Sequence, residues 1–191
     1  MSKIRFYFEG PYLIIAAVIW IIVVAYLKFK CKYGYPKIIF LTLFYIYICE
    51  LLKYTQFPIT YVPDLMDINR VWDSVNLIPF RHFLWDPMNG VLNVILTMPY
   101  GFLLPILRPI NHRKILVHAI VLPIFLEGLQ LLIGILCRYT ERIIDVTDVI
   151  FNFLGVLIGF FVYILFVYFL KLYVRGKKVK LDPLIQYVIK K

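Results

Sequence analysis

Residues 149–170, VIFNFLGVLIGFFVYILFVYFL, run without a single charged side chain. A helix needs about 20 consecutive apolar residues to cross a bilayer, so this stretch is long enough to span one. Comparable runs precede it at residues 11–27, 36–52, 90–107 and 115–137. Hydrophobic residues make up 62% of the chain and the mean hydropathy is +0.84. Soluble domains hold roughly 45–50%, and one core of this size could not hide the excess. The fold class is therefore all-α: a polytopic membrane helical bundle of about five transmembrane helices, with residues 1–191 as a single membrane domain.

The segments between the runs set the topology. Lys3 and Arg5 precede the first run, as in a signal peptide, but Lys28, Lys30 and Lys32 follow it where a small-residue cleavage site would be needed. It reads as a retained helix. Glu50 near the end of the second run pairs with Lys53, three residues on along one helix face. The loop 53–89 carries Pro58, Pro63, Pro79 and Pro87. Its part near 74–87 is too short to span and too oily to float, which predicts an interfacial or re-entrant segment. Pro99 and Pro105 predict a kinked third span. Residues 181–191 end a basic tail, 171–191, expected to lie on the membrane surface.

Lys and Arg number 7 on the side that collects the N-terminus, the long loop and the 138–145 turn, and 14 on the other. The richer side is cytoplasmic by the positive-inside rule. The expectation is a multi-pass cell-membrane protein with its N-terminus outside and its C-terminus cytoplasmic. The net charge of +10 lies in these loops, not on a basic aromatic module, so no nucleic acid is expected as a partner. Cys31, Cys49 and Cys137 have no metal or redox spacing and read as free thiols. No metal site and no cofactor are expected.

The chemistry concentrates in residues 125–159. Glu127 lies near the middle of the fourth span, where an ionisable group costs about 2.5–3.5 kcal/mol on insertion scales. Gln130 is three residues on, on the same face. Across a short charged turn, Asp148 and Asn152 share a face of the last span, continued by Gly155 and Gly159, a small-xxx-small pair that admits a close neighbour. Antiparallel packing of the two helices predicts a polar ladder. It runs from Arg142 and Asp145 at the mouth, past Asp148 and Asn152, to Gln130 and Glu127. Simpler roles exist: Asp145 or Asp148 as a helix cap, Asn152 and Gln130 as interhelical glue.

Three blocks give the chain a resemblance to the VanZ-like family of integral membrane proteins associated with teicoplanin resistance. They are Asn76-Leu77-Ile78-Pro79-Phe80; Asn93-Val94-Ile95 with Pro99-Tyr100-Gly101-Phe102-Leu103-Leu104; and Glu127 and Gln130 with Asp145-Val146-Thr147-Asp148, Asn152, Gly155 and Gly159. The likeness covers a core of roughly residues 74–160. The turn CRYTERII is longer and more charged than the one associated with the resistance protein, and residues 1–73 and the tail carry none of the motifs.

The resemblance implies a bacterial membrane protein that lowers susceptibility to lipoglycopeptides. It adds Asn76, Pro79, Phe80 and Asn93 to the residues singled out by burial cost. The leading expectation is a ligand-binding, envelope-modulating protein whose outward-facing cleft engages membrane lipids, a lipid-linked wall precursor or a lipoglycopeptide, with Arg81, Arg138 and Arg142 at a phosphate-suited rim. The alternative is an intramembrane enzyme on a lipid or wall precursor, with Glu127, Asp145 and Asp148 as candidate acid and base and His82 able to join. A small transporter or scaffold subunit is the third reading, although no internal repeat supports it. The oligomeric state is open.

Overall fold

A computed structural model describes residues 3–81, 83, 85–175 and 181–190. Its long helices are α1 (Pro11–Phe29), α2 (Tyr35–Gln56), α4 (Pro87–Leu107), α5 (His112–Cys137) and α6 (Val146–Val174), with short α3 (Ile68–Asp73) and α7 (Pro183–Ile189). The five long ones are each apolar and long enough to cross a membrane. Proline starts or follows the start of α1, α2, α4 and α7, where its missing N–H costs nothing. Asp86, Asn111, Asp145 and Asp182 cap α4, α5, α6 and α7 through their side chains. The Glu50–Lys53 pair forms, at 3.9 Å.

The centre of the molecule is the pair α4 and α6. Lipid gives apolar helices no hydrophobic reason to associate, so close packing must supply it. A Cβ on Gly155 would lie 2.2 Å from Thr97 Oγ1, one on Gly159 1.9 Å from the Met98 carbonyl, and one on Gly101 2.0 Å from the Val156 carbonyl. The two backbones therefore touch where glycine removes the side chain, and Thr97 Oγ1 donates to the Asn152 carbonyl at 2.9 Å. The neighbour admitted by the small-residue pair is thus α4. The sequence had placed this stripe toward α5, whose packing on α6 is looser.

Pro99 does not stop α4. Proline in a helix interior disturbs the bonds of the turn before it, and the Tyr47 hydroxyl of α2 donates to the Leu96 carbonyl at 3.0 Å. Helix α1 buries none of its side chains. It is held to α2 by Trp20 Nε1 donating to Thr42 Oγ1 (3.2 Å), by Tyr45 OH donating to the Ala16 carbonyl (2.8 Å) and by the stacked Trp20–Tyr45 rings.

The two ends of the bundle differ. At one, Leu104, Ile106, Ile115, Ala119, Val156, Phe160, Tyr163 and Val188 form the apolar core. Val188 belongs to α7, and Tyr187 beside it stacks on Phe40. The described part of the tail thus packs against α2 and α6.

At the other end, short strands knit the loops together. β1 (Ile4–Phe6) pairs antiparallel with β2 (Ile59–Tyr61), and β3 (Val75–Asn76) pairs parallel with β4 (Ile144–Asp145). Through these pairings the long loop brings the N-terminal segment and the 138–145 turn together. Among the described residues of the 74–87 segment there is no long helix before α4; Leu77, Ile78 and Trp85 are exposed, as suits an interfacial location.

Candidate functional site

Between the strand-tied end and the apolar core lies a cavity of about 710 Å³. Four helices wall it. Tyr54 and Thr55 come from α2; Asn89, Leu92, Asn93, Ile95 and Leu96 from α4; Glu127 and Gln130 from α5; Thr147, Asp148 and Asn152 from α6. Arg142, Ile143 and Asp145 close its mouth from the turn, with Asp86 and Phe83 opposite. The two stripes read from the sequence thus line one space, and α4 forms the third side.

Glu127 is buried at 6% exposure, and its Oε2 has no hydrogen-bond partner among the described residues. The Asp145 backbone N–H faces the carboxyl. Asn152, exposed by 1%, likewise leaves Oδ1 without a partner. Buried polar atoms without partners are rare in folded proteins, and here two acceptors and one donor, Asn93 Nδ2, belong to residues lining the same cavity.

Asp145 is different. Its Oδ1 takes the Thr147 N–H at 2.7 Å and its Oδ2 takes Asn76 Nδ2 at 2.9 Å. This carboxylate is a helix cap and a strand anchor, the simpler of its two predicted roles. Asp148, one turn further in, accepts from Asn89 Nδ2 at 2.8 Å through Oδ1. The cavity's less committed carboxyls are therefore Glu127 and Asp148. Gln130 Nε2 donates to the Thr55 carbonyl at 3.0 Å and ties α5 to α2 as predicted glue.

Arg142 supplies the cation at the mouth. Burial pulls its guanidinium below the ordinary value, while Glu127 and Asp148 oppose that shift; an arginine stays charged regardless. Its Nη2 donates to the carbonyls of Phe57 (2.6 Å) and Tyr54 (3.3 Å), so one arm is spent on closing off α2.

Other predicted residues stand outside the cavity lining. Asn76 acts through Asp145. Phe80 donates its N–H to Thr147 Oγ1 at 2.9 Å and sets its ring edge-on to Phe83 and Phe151. It holds a positive φ of 61°, uncommon for a bulky side chain. Pro79 contributes to that turn. Arg81 and Arg138 are exposed and do not reach the cavity, so the predicted basic rim reduces to Arg142. His82 lies outside the described residues.

The sequence reading missed Tyr54, Thr55, Asp86, Asn89 and Thr147. Asn89 was open to inference, because it sits four residues before Asn93 and shares its helix face. Tyr54 and Thr55 were not, since nothing local aims the end of α2 at a helix some 70 residues later in the chain.

Residues 44–167 match the family VanZ/LLP1. The chain belongs to that family. The VanZ/LLP1 region takes in α2 from Phe44 onward, beyond the core read from the sequence motifs, and so contains every helix that walls the cavity. Strand β1, helix α1 and helix α7 lie outside it. No curated protein and no solved structure matches the chain.

Proposed function

We propose that this VanZ/LLP1 membrane protein holds an amphiphile in the cavity, entered from the extracellular side, and through it modulates the cell envelope and susceptibility to teicoplanin. The observation that supports this is the contrast between the cavity's walls. One bears Glu127, Asp148 and Asn152; the other bears Leu92 and Ile95, each 55% exposed on the bundle surface where lipid would lie. A head group meets the first wall and a hydrocarbon chain leaves along the second. The volume falls within the roughly 300–1,000 Å³ of small-molecule sites. Membrane lipids, a lipid-linked wall precursor and a lipoglycopeptide all have this build.

The test is teicoplanin susceptibility in a strain lacking the gene, complemented with wild type or Glu127→Gln, with membrane levels of the protein measured in parallel. Wild type restores resistance and the variant, present at equal level, does not. Equal resistance with both overturns the role given to Glu127. A catalytic reading draws on Glu127 and Asp148 lining one cavity. It requires a lipid or wall-precursor species, detected by mass spectrometry, that appears or vanishes with Glu127.

A further inference from the structure

We infer that the head group taken by this cavity is cationic, a primary amine, and not the phosphate that a basic rim would have favoured. This rests on the cavity being an amphiphile site and specifies its ligand. What each lining group has left to offer decides the head group. Three lining atoms are buried and unpartnered among the described residues: the acceptors Glu127 Oε2 and Asn152 Oδ1, and the donor Asn93 Nδ2, whose amide lies beside Asp148. Asp148 adds a second carboxyl to the same lining.

Other acids in the neighbourhood are already matched. Asp145 is bound by Asn76 and Thr147, and Glu141 at the rim by Lys3 and Arg5. On the positive side stands Arg142, with its Nη2 committed to two backbone carbonyls.

An ammonium brings three donors and no acceptor, the complement of the two orphan acceptors and of the neighbouring Asp148. A phosphate brings acceptors to a cavity whose buried orphan atoms are two acceptors and one donor. A bare metal ion fits poorly: among the described residues, no group of three or more His, Cys, Asp and Glu is placed to hold one. The oily wall at Leu92 and Ile95 then requires the amine to sit at the end of a hydrocarbon chain, as in an amine-bearing lipid.

The experiment is native mass spectrometry of the full-length protein in dodecyl maltoside with hexadecylamine, hexadecyl phosphate and hexadecanol as probes. They share a chain and differ in head group. The amine is retained over the other two by about tenfold, the scale of one hydrogen bond to a charged group. That preference disappears in Glu127→Gln and in Asn152→Leu, the second variant guarding against misfolding of the first; thermal unfolding of each is followed alongside. A preference for hexadecyl phosphate that Arg142→Gln removes would overturn the amine assignment and leave the amphiphile site standing. Failure to retain any of the three would overturn both.

Discussion

Asn76 and Asp145 are joined side chain to side chain at 2.9 Å, in the buried seam where β3 and β4 run parallel. The same carboxylate caps α6 through the Thr147 N–H. One residue of the long loop thereby fixes the start of the helix that carries Asp148 and Asn152 into the cavity. Asn76 thus acts on the start of α6 without lining the cavity.

Removing the amide leaves Asp145 Oδ2 buried without its donor, a loss on the order of 1–3 kcal/mol. Asn76→Ala is expected to lower the thermal midpoint of the detergent-solubilised protein. Asp145→Ala lowers it further, because a lost cap costs about 1 kcal/mol more. An Asn76→Ala protein that melts with the wild type would show the seam to be dispensable.

The α4–α6 contact makes a sharper prediction, with its own control. A methyl on Gly159 would sit 1.9 Å from the Met98 carbonyl, whereas one on Gly128 of α5 meets nothing within 4 Å. Gly159→Ala must push two backbones apart and is expected to cost about 1–3 kcal/mol or more. Gly128→Ala gains roughly the 0.5–1 kcal/mol by which alanine exceeds glycine in a helix. Opposite shifts in unfolding temperature are the expected result; equal shifts would mean that α4 and α6 do not touch.

How far the sequence led follows from these cases. The spans were legible because membrane length and apolarity are local properties, and each predicted run lies within an observed helix. The facing of Glu127 with Gln130, and of Asp148 with Asn152, was legible because helical periodicity is local too. Which helix met the Gly155–Gly159 stripe was not, since α4 and α5 are both apolar and both within reach of α6. The pairing of β3 with β4 was equally hidden: two-residue strands leave no alternation to read. Arg81 and Arg138 were assigned to the rim by proximity in sequence to cavity residues, but their side chains point elsewhere.

Acid should loosen the strand-tied end. Glu141 is bound by Lys3, Arg5 and Thr60 Oγ1, which joins β1 and β2 to the 138–145 turn. The Lys3 hydrogen bond chiefly, then Thr60 and Arg5, hold the Glu141 carboxyl below its ordinary value of 4.5 against a smaller opposing effect of burial. A depressed carboxylate contributes stability that is complete above the ordinary value and is lost as pH falls through the lower, folded one. Hydrogen exchange at residues 4–6, corrected for its intrinsic pH dependence, is therefore expected to be steady from neutral pH down to about 5 and to rise below 4.5. Glu141→Gln abolishes the step. Because these groups are exposed, high salt weakens the clamp as well. A step that persists in the glutamine variant would assign the pH response to another carboxyl.

The orientation of the chain decides whether the cavity mouth faces the drug. Pairing of β1 with β2 and of β3 with β4 puts the N-terminal strand, the long loop and the 138–145 turn at one end of the bundle. That end carries the smaller share of lysine and arginine, 7 against 14, and is predicted to be extracellular by the positive-inside rule. Asp64 is exposed on that end, and Cys31, between α1 and α2, is exposed on the opposite one. With Cys49 and Cys137 replaced by serine, a membrane-impermeant maleimide applied to intact cells should label an Asp64→Cys protein in a Cys31→Ser background. It should leave native Cys31 unlabelled until the cells are opened. The reverse pattern would turn the mouth, with Arg142, toward the cytosol, and an extracellular amphiphile would no longer have a route to Glu127.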